Sequence, residues 1–561
     1  MATIGINSFR DNPHVLVLVK LMKNKFVNES TYKGFLESNR EGEFDAKFDE
    51  AVTAALNSFG KAHPMYIGGK PEYAKELIEE KSPIDSRTIG TFQKGDETHA
   101  RLAVTAASNA FAAWSGTDYR ERAAIFRKAA KLLSERKFMM AAILSYENGK
   151  SRYESVGEVD EAIDFMRYYA DDIESNRGYI RKNSIEPSGK LAELGFQGAP
   201  SPGEKIKIPL KPYGVFGVIA PFNFPVSISI GMSTGALITG NTVVFKPSST
   251  DNMTMLTGLK IWELFRDAGL PPGVFNYITG PGGIVGRELV SNDGVSGIAF
   301  TGSKSTGLGM MAECFGSGKQ KAFVVEMGGK NPAIITKYAD LDMAVSGVAS
   351  AAFGFCGQKC SALSRVYVHK AVKEQFIGKL IDKVREFKIG NPLDKDVYMG
   401  PLISQSAYKR FESVVASART NARILYGGNR VRNGLADNYY VEPTIIEIKH
   451  DNELARRELF LPVLTIEEFT DLDNAIDMAN DTEYGLTAGF YSKNAKEIKR
   501  FTNGILAGVV YVNRGISATT GAIVGMHTFV GWKGSGLTGK GSGSRFYLQQ
   551  FMREQSISVT K

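Results

Sequence analysis

The sequence predicts an α/β protein with two doubly wound units. Between residues 215 and 300, short apolar runs alternate with helical patterns in the β-α-β-α-β order of a parallel sheet covered on both faces. A second alternation of the same kind runs from residue 333 to about 512. The 59 glycines in 561 residues suit a fold with many tight turns.

In chain order, residues 1 to about 60 are polar with helical patches, and 44–59 has amphipathic spacing. This extension is expected to wrap the body. A domain proper starts near Met65, and 98–169 is helical in pattern, including 120–134 and 137–147. Residues 215–220 (Val-Phe-Gly-Val-Ile-Ala) open the first parallel sheet. A helix at 226–238, a strand at 242–245, a helix at 253–268 and strands at 274–278 and 297–300 follow, with a short helix between the last two. The second unit takes strands from 333–335, 365–368, 463–465 and 509–512. Residues 344–357, the longest uncharged apolar stretch, fall short of the ~18 that suggest a membrane span and read as a closely packed buried helix. Residues 191–212 read as a projecting hairpin and 546–559 as a strand, both without an obvious partner in their own unit. Unpaired strand edges are usually covered, so a dimer or an assembly of dimers is expected.

Composition excludes several classes. The net charge of +8 comes from lysines and arginines scattered beside acids, which describes a basic solvated surface that attracts anionic substrates rather than a nucleic-acid footprint. The 3 cysteines imply no disulfide framework and a reducing compartment. Cys356 and Cys360 have a C-x3-C spacing foreign to zinc sites, so no metal is expected. The N-terminus sets Arg10, Lys20, Lys23 and Lys25 against Asp11 but lacks the serine and arginine richness of a transit peptide. A cytoplasmic location is favoured, an organelle matrix second.

Chemistry concentrates in Phe355-Cys356-Gly357-Gln358-Lys359-Cys360-Ser361-Ala362 and, upstream, Val325-Glu326-Met327-Gly328-Gly329-Lys330-Asn331-Pro332. Cys360 follows a helix in a polar loop with small neighbours, and Glu326 lies 360 − 326 = 34 positions earlier. A thiol that attacks a carbonyl needs open space and a group to manage protons. Cys314 and Cys356 read as buried structural cysteines. The glycine cluster at 280–286 follows a strand but is not a true G-x-G-x-x-G, and reads as a turn. A better phosphate site is Phe300-Thr301-Gly302-Ser303-Lys304, a strand running into a helix whose free N–H groups suit a pyrophosphate. Lys246 stands at the carboxyl end of a parallel strand, where ligands of open α/β sheets bind.

Together with Pro221-Phe222-Asn223-Phe224-Pro225, Tyr440-Val441-Glu442-Pro443-Thr444, Glu458-Leu459-Phe460 and Thr482-Glu483-Tyr484-Gly485-Leu486-Thr487, these motifs resemble the aldehyde dehydrogenase superfamily from about residue 65 to the end. The resemblance implies a Rossmann-type NAD(P)-binding domain (65–190 and 213–328), a catalytic α/β domain (329–530), a β oligomerisation arm (191–212 and 531–561) and an N-terminal extension (1–64). The two arm segments would meet across the subunit interface of a homo-oligomer. It further implies Cys360 as nucleophile, Glu326 as the base that activates water, and the Asn223 amide with the Cys360 N–H as donors to the developing alkoxide. Lys246, Ser249, Gly302, Ser303, Glu458 and Phe460 would hold NAD. Many NAD-preferring members carry a glutamate at the position of Ser249, so NADP stays open.

Phe353-Gly354-Phe355 and Thr520-Gly521-Ala522-Ile523-Val524-Gly525 narrow the resemblance to the branch that oxidises glutamate γ-semialdehyde (Δ1-pyrroline-5-carboxylate) to glutamate in proline degradation. There Ser361, Gly521 and Ala522 would bind the substrate α-carboxylate, and a Gly-Ala loop does expose N–H groups that grip an anion. Alternatives are another semialdehyde, a small sugar aldehyde, or a binding protein that keeps the fold without catalysis. The chain departs from the superfamily pattern at Phe222, where a tryptophan is common, at Leu461, where a glycine is usual, and at Thr528 and Val530.

Overall fold

In a computed structural model that describes residues 26–182, 204–248, 253–432 and 438–560, the first sheet has seven strands. They are β1 (Met65–Ile67), β2 (Lys70–Glu72), β3 (Val215–Ile219), β4 (Thr242–Lys246), β5 (Phe275–Tyr277), β6 (Val295–Thr301) and β7 (Ala322–Glu326), in the spatial order β7-β6-β3-β4-β5-β1-β2. From β7 to β5 every pairing is parallel, and β1 and β2 add an antiparallel edge. All five residues of β4 are buried, because helices on both faces leave no side for polar residues. The chain steps outward from β3 to β4 and β5, then restarts at β6 and β7 on the other side. That reversal opens a crevice beyond the carboxyl ends of the strands.

The second sheet holds β8 (Asn331–Ile335), β9 (Leu363–His369), β10 (Arg423–Tyr426), β11 (Thr444–Glu447), β12 (Val463–Phe469), β13 (Thr487–Tyr491) and β14 (Val509–Val512), ordered β10-β11-β12-β9-β8-β13-β14. Only β10 runs antiparallel to its neighbour. Residues 327–330 alone join β7 to β8, so the carboxyl ends of the first sheet meet the amino ends of the second at that crossing. No helix among the described residues is long and apolar enough to cross a membrane.

Two expectations are corrected. The strand Lys205–Pro212 pairs within its own chain, with Ile180–Lys182, Met552–Glu554 and Ile557–Val559. The hairpin and the C-terminal segment therefore meet each other, and neither awaits a second subunit for its pairing. At eight residues the strand is long enough for both short C-terminal pieces to lie along it in succession. The C-terminal strand also begins later than expected: Leu548–Phe551 is a 3₁₀ turn whose Leu548 and Phe551 are buried in the core. Residues 183–203 of the hairpin region lie outside the described residues.

The N-terminal extension is part of the core. In the helix Glu41–Leu56, Phe44, Phe48, Ala51 and Ala55 recur at four- and three-residue steps and are buried, forming one apolar face. Ahead of it, charges dock the chain onto the helix Arg152–Ser175. Asp164 accepts hydrogen bonds from the Glu29 N–H (2.7 Å) and the Asn28 amide (2.8 Å). The Glu29 carboxylate pairs with Lys137 (3.0 Å) and Arg167 (2.5 Å), and Lys137 reaches on to Asp160 (2.5 Å).

Burial pushes the Asp160 carboxyl up to about 7, with Lys137 opposing that rise. Lys137→Met should raise it further. A carboxyl whose folded pKa is raised loses stability as pH climbs through that value, so the variant should be destabilised more at pH 8 than at pH 6. The loss at pH 8 should be about 3 kcal/mol, read from urea unfolding at the two pH values.

Candidate active site

Five of the residues singled out in the sequence stand at or just past carboxyl ends of the first sheet. Asn223 lies four residues past β3, Lys246 ends β4, Gly302 and Ser303 follow β6, and Glu326 ends β7. From the second sheet, Cys360 and Ser361 lead into β9, and Glu458 and Phe460 lead into β12. Cys360, Ser361, Glu326, Gly521 and Ala522 line one cavity of about 300 Å³, which Phe165, Phe224 and Phe529 also wall.

The loop carrying Cys360 is tightly determined. After the helix Leu341–Phe353, Phe355, Cys356 and Gly357 take φ of 49°, 54° and 64°, a left-handed run that only strong surrounding contacts sustain. A Cβ at Gly357 would fall 2.3 Å from the Leu461 carbonyl oxygen. Cys356 is buried with its thiol on the Gly400 carbonyl (3.1 Å), as the structural reading expected, and Cys314 is buried too. Cys360 is partly exposed. Its carbonyl and that of Ala362 both accept from the Asn331 amide at 2.8 Å, while the Asn331 oxygen accepts the Thr487 N–H at 3.0 Å. Asn331 belongs to a motif read from the sequence, but its pinning of the loop was not legible there.

The electrostatics hold charge back. Burial, then Glu458, then Glu326 push the Cys360 thiol up to about 12, opposed by the Ser361 and Cys360 N–H groups. Burial raises Glu326 well above the usual carboxylate range against one N–H bond from Gly531, and its Oε2 atom is sealed off with no hydrogen-bond partner among the described residues. Glu458 is raised to about 7 by burial, while its Oε1 accepts the Gly329 N–H at 2.8 Å. Buried carboxyls with pKa values raised in this way concentrate at functional sites.

Asn223 is held on three sides. Its amide donates to the Gln358 carbonyl (3.2 Å), its side-chain oxygen accepts the Phe224 N–H (3.1 Å) and its carbonyl accepts from Lys150 (2.6 Å). This fixes the amide plane and leaves one amide N–H to give. Lys150 is fully buried and ion-paired with Glu158, and it lies 3.7 Å from the Phe224 ring centroid. Glu158 accepts the Val226 (2.7 Å) and Ser227 (3.2 Å) N–H groups. Lys150 and Glu158 escaped the sequence reading, because a lysine and a glutamate eight positions apart look like a solvated helix face.

On the cofactor side, burial lowers the Lys246 ammonium to about 8, and it donates to the Pro247 carbonyl at 3.2 Å. Ser303 caps the helix Lys304–Gly316 through the Thr306 N–H (3.2 Å). Gly302 donates its N–H to the Glu326 carbonyl (3.2 Å), which ties the Gly302-Ser303 turn to the strand that ends in Glu326. Phe460 has φ 57° and meets Phe222 edge to face at 5.9 Å. Leu461, in place of the usual glycine, is buried in the core of the second sheet. Gly282–Gly286 forms a π-helical turn, in keeping with the turn reading, and Ser249 lies outside the described residues. Among those residues no three His, Cys, Asp or Glu side chains cluster to hold a metal.

Residues 70–557 match the model of the Aldehyde dehydrogenase family, and the chain belongs to that family. It is 34% identical over 530 residues to 1-pyrroline-5-carboxylate dehydrogenase 1 of Halalkalibacterium halodurans, covering 93% of this chain and 97% of that one. It is 35% identical over 517 residues to 1-pyrroline-5-carboxylate dehydrogenase 2 of Bacillus subtilis, covering 91% and 95%. Among solved structures, 1-pyrroline-5-carboxylate dehydrogenase from Thermus with bound NAD superposes with a TM-score of 0.87 at 32% identity, covering 96% of this chain and 99% of that one.

Glu458 is anionic above about pH 7, the range in which Cys360 titrates, and like charges oppose each other. Glu458→Gln should therefore lower the thiol pKa. Alkylation of Cys360 by iodoacetamide, followed against pH without cofactor, should show its midpoint moved to lower pH. An unmoved midpoint would separate the two groups electrostatically.

Proposed function

We propose that this protein oxidises L-glutamate γ-semialdehyde, the open form of Δ1-pyrroline-5-carboxylate, to L-glutamate with NAD in proline degradation. The observation that carries this reading is the single cavity shared by Cys360, Glu326 and the Gly521-Ala522 loop. On this reading a nucleophile, a base and an anion-binding backbone would lie within reach of one small molecule. The boundaries at residues 190, 212, 328 and 530 and assembly as dimers in the cytoplasm belong to the same reading. Phe546 and Val559, exposed at 44% and 55% near the C-terminus, support an interface there.

The Cys360 thiol passes its proton to solvent water and, as thiolate, adds to the aldehyde carbon, while the carbonyl π pair moves to oxygen. The free N–H of the Asn223 amide and the Cys360 N–H stabilise that alkoxide, one such donor being worth about 3 kcal/mol. Lys150 and Glu158 act through Asn223 by holding its backbone. Lys246, Gly302, Ser303, Glu458 and Phe460 would hold the dinucleotide: a buried cation, a helix N-terminus and a carboxylate suit its ribose and phosphate groups. When bound, it supplies the acceptor for the hydride lost by the tetrahedral adduct. Glu326 then takes a proton from water as the hydroxide adds to the thioester carbon, and glutamate leaves with Cys360 as the departing thiolate. Burial raises the pKa of Glu326, which strengthens it as a base toward the attacking water.

Cys360→Ser should abolish dehydrogenase activity while NAD binding persists, because a serine hydroxyl has a far higher pKa than a thiol. Glu326→Gln should give a burst of about one NADH per site followed by turnover slowed by ~10²–10⁴-fold, read by absorbance at 340 nm in a stopped-flow experiment. An unchanged steady-state rate would assign water activation to another group.

The substrate is tested by a pair of aldehydes. Glutamate γ-semialdehyde should exceed butanal in kcat/KM by ~10²–10⁴-fold, the worth of two charge-assisted hydrogen bonds. Equal values would remove the proline-pathway reading and leave a general aldehyde dehydrogenase.

A further inference from the structure

The structure assigns to Arg514 the positioning of the carboxylate anchor, through the two peptide groups that flank Gly521. This inference rests on the reading of residues 520–522 as that anchor. The Arg514 guanidinium donates to the Thr520 carbonyl at 2.8 Å and to the Gly521 carbonyl at 2.7 Å. Those carbonyls belong to the same peptide groups as the N–H of Gly521 and the N–H of Ala522. No peptide bond among the described residues is cis, and in a trans peptide the C=O and N–H point in opposite directions. Because one guanidinium holds both carbonyls, both N–H groups face away from it.

What lies on each side agrees. Arg514 lines one depression with Ile516, Ser517 and Lys395 and does not line the cavity of Cys360, whereas Ala522 lines only that cavity and Gly521 borders both. Neither N–H donates to another protein backbone group among the described residues. A cation on the carbonyl side draws electron density from the amide and strengthens the donor opposite. The two N–H groups are thus oriented and polarised for an anion before one arrives, which spares the loop that reorganisation on binding.

The loop is held on both sides of this stretch. Ser517 Oγ accepts the Thr520 N–H at 3.0 Å at one end. At the other end the Asn28 amide donates to the Val524 carbonyl at 3.2 Å. Arg514 is itself placed by its guanidinium lying 4.5 Å from the Tyr511 ring centroid and by its carbonyl, which accepts from the Tyr491 hydroxyl at 2.8 Å. Gly521 completes the arrangement: its φ is 80°, and a Cβ there would come within 3.3 Å of Arg514 Nη2.

The test compares the full chain with Arg514→Met and Arg514→Lys, using glutamate γ-semialdehyde and butanal as substrates and glutamate as competitive inhibitor. Arg514→Met should raise KM for the semialdehyde and Ki for glutamate by ~10–100-fold, with kcat for the semialdehyde within about threefold and kcat/KM for butanal unchanged. Arg514→Lys, which keeps the charge but cannot match the two-pronged fork, should fall between the two. Three results would overturn the inference: equal losses for both aldehydes in Arg514→Met, an unchanged glutamate Ki in that variant, or full wild-type behaviour in Arg514→Lys. If Arg514→Met does not fold, the lysine variant carries the test through the same Ki. Equal kcat/KM for the two aldehydes in the unaltered protein would instead refute the substrate reading, and with it this inference. A retained wild-type preference beside an unmoved variant Ki would refute the role of Arg514 alone.

Discussion

Residues 327–331, where the chain passes from the first sheet to the second, constrain everything else in the site. Along this short span the Met327 N–H bonds the Ser535 carbonyl (2.8 Å), the Gly328 carbonyl accepts from the Ser535 hydroxyl (2.7 Å) and the Gly329 N–H holds Glu458 (2.8 Å). Asn331 then closes onto the carbonyls on either side of Ser361. One crossing thus sets the distance from the end of β7, where Glu326 stands, to the loops that carry Cys360 and Glu458. Glycine is required at two of these positions. A Cβ at Gly328 would lie 2.2 Å from Glu458 Oε2, and one at Gly329 would lie 2.4 Å from the Cys360 carbonyl oxygen. The sheets are built by apolar burial, but the register between them is set by these few polar contacts.

The same crossing explains why the site is electrostatically tense. Glu326 and Glu458 are both brought toward the thiol, and each raises the cost of ionising Cys360, although Lys330 and Arg410 act on Glu458 in the opposite sense. The buried Lys150 is occupied by Glu158 and by the Asn223 carbonyl, so its charge serves the framework. A buried pair of that kind adds little net stability when complete, and removing one partner strands the other. Lys150 and Glu158 together position the turn from Asn223 to Ser227, and the pair specifies geometry more than it stabilises the fold.

Much of this was legible in the sequence. The strands β3, β4, β6, β8, β9 and β12 read as apolar runs because both their faces are covered. Cys360 and Glu326 stood out because a thiol and a carboxylate among glycines carry an evident chemical use. The structure brings both to one cavity with Ser361, Gly521 and Ala522. What escaped were residues that act through someone else's backbone. Asn331, Lys150 and Arg514 bond carbonyl groups, and carbonyls carry no sequence signature. The partner of Lys205–Pro212 escaped for a related reason: it lies more than three hundred residues away at Met552–Glu554 and Ile557–Val559, and strand pairing at that separation leaves no local pattern. The left-handed φ at Phe355 and Cys356 was equally hidden, since neither residue favours it and only packing enforces it.

The N-terminal segment shows how far such backbone contacts reach. Asn28 uses its amide twice, on Asp164 of the helix that lines the cavity and on the Val524 carbonyl at the end of the anchor loop. Phe26 meets Tyr168 of the same helix edge to face at 5.3 Å. A Cβ at Gly525, where φ is 79°, would fall 2.9 Å from the Phe26 ring. A segment that looked like a polar wrapping therefore ties the wall of the cavity to the loop proposed to grip the substrate. Loops are ordinarily the softest part of a fold, and binding to a soft loop sacrifices affinity to ordering. Held by Arg514 and Ser517 at one end and by Asn28 at the other, this loop would present its donors already ordered, and the proposed selectivity for a charged aldehyde would then rest on the packing of residues almost five hundred positions apart.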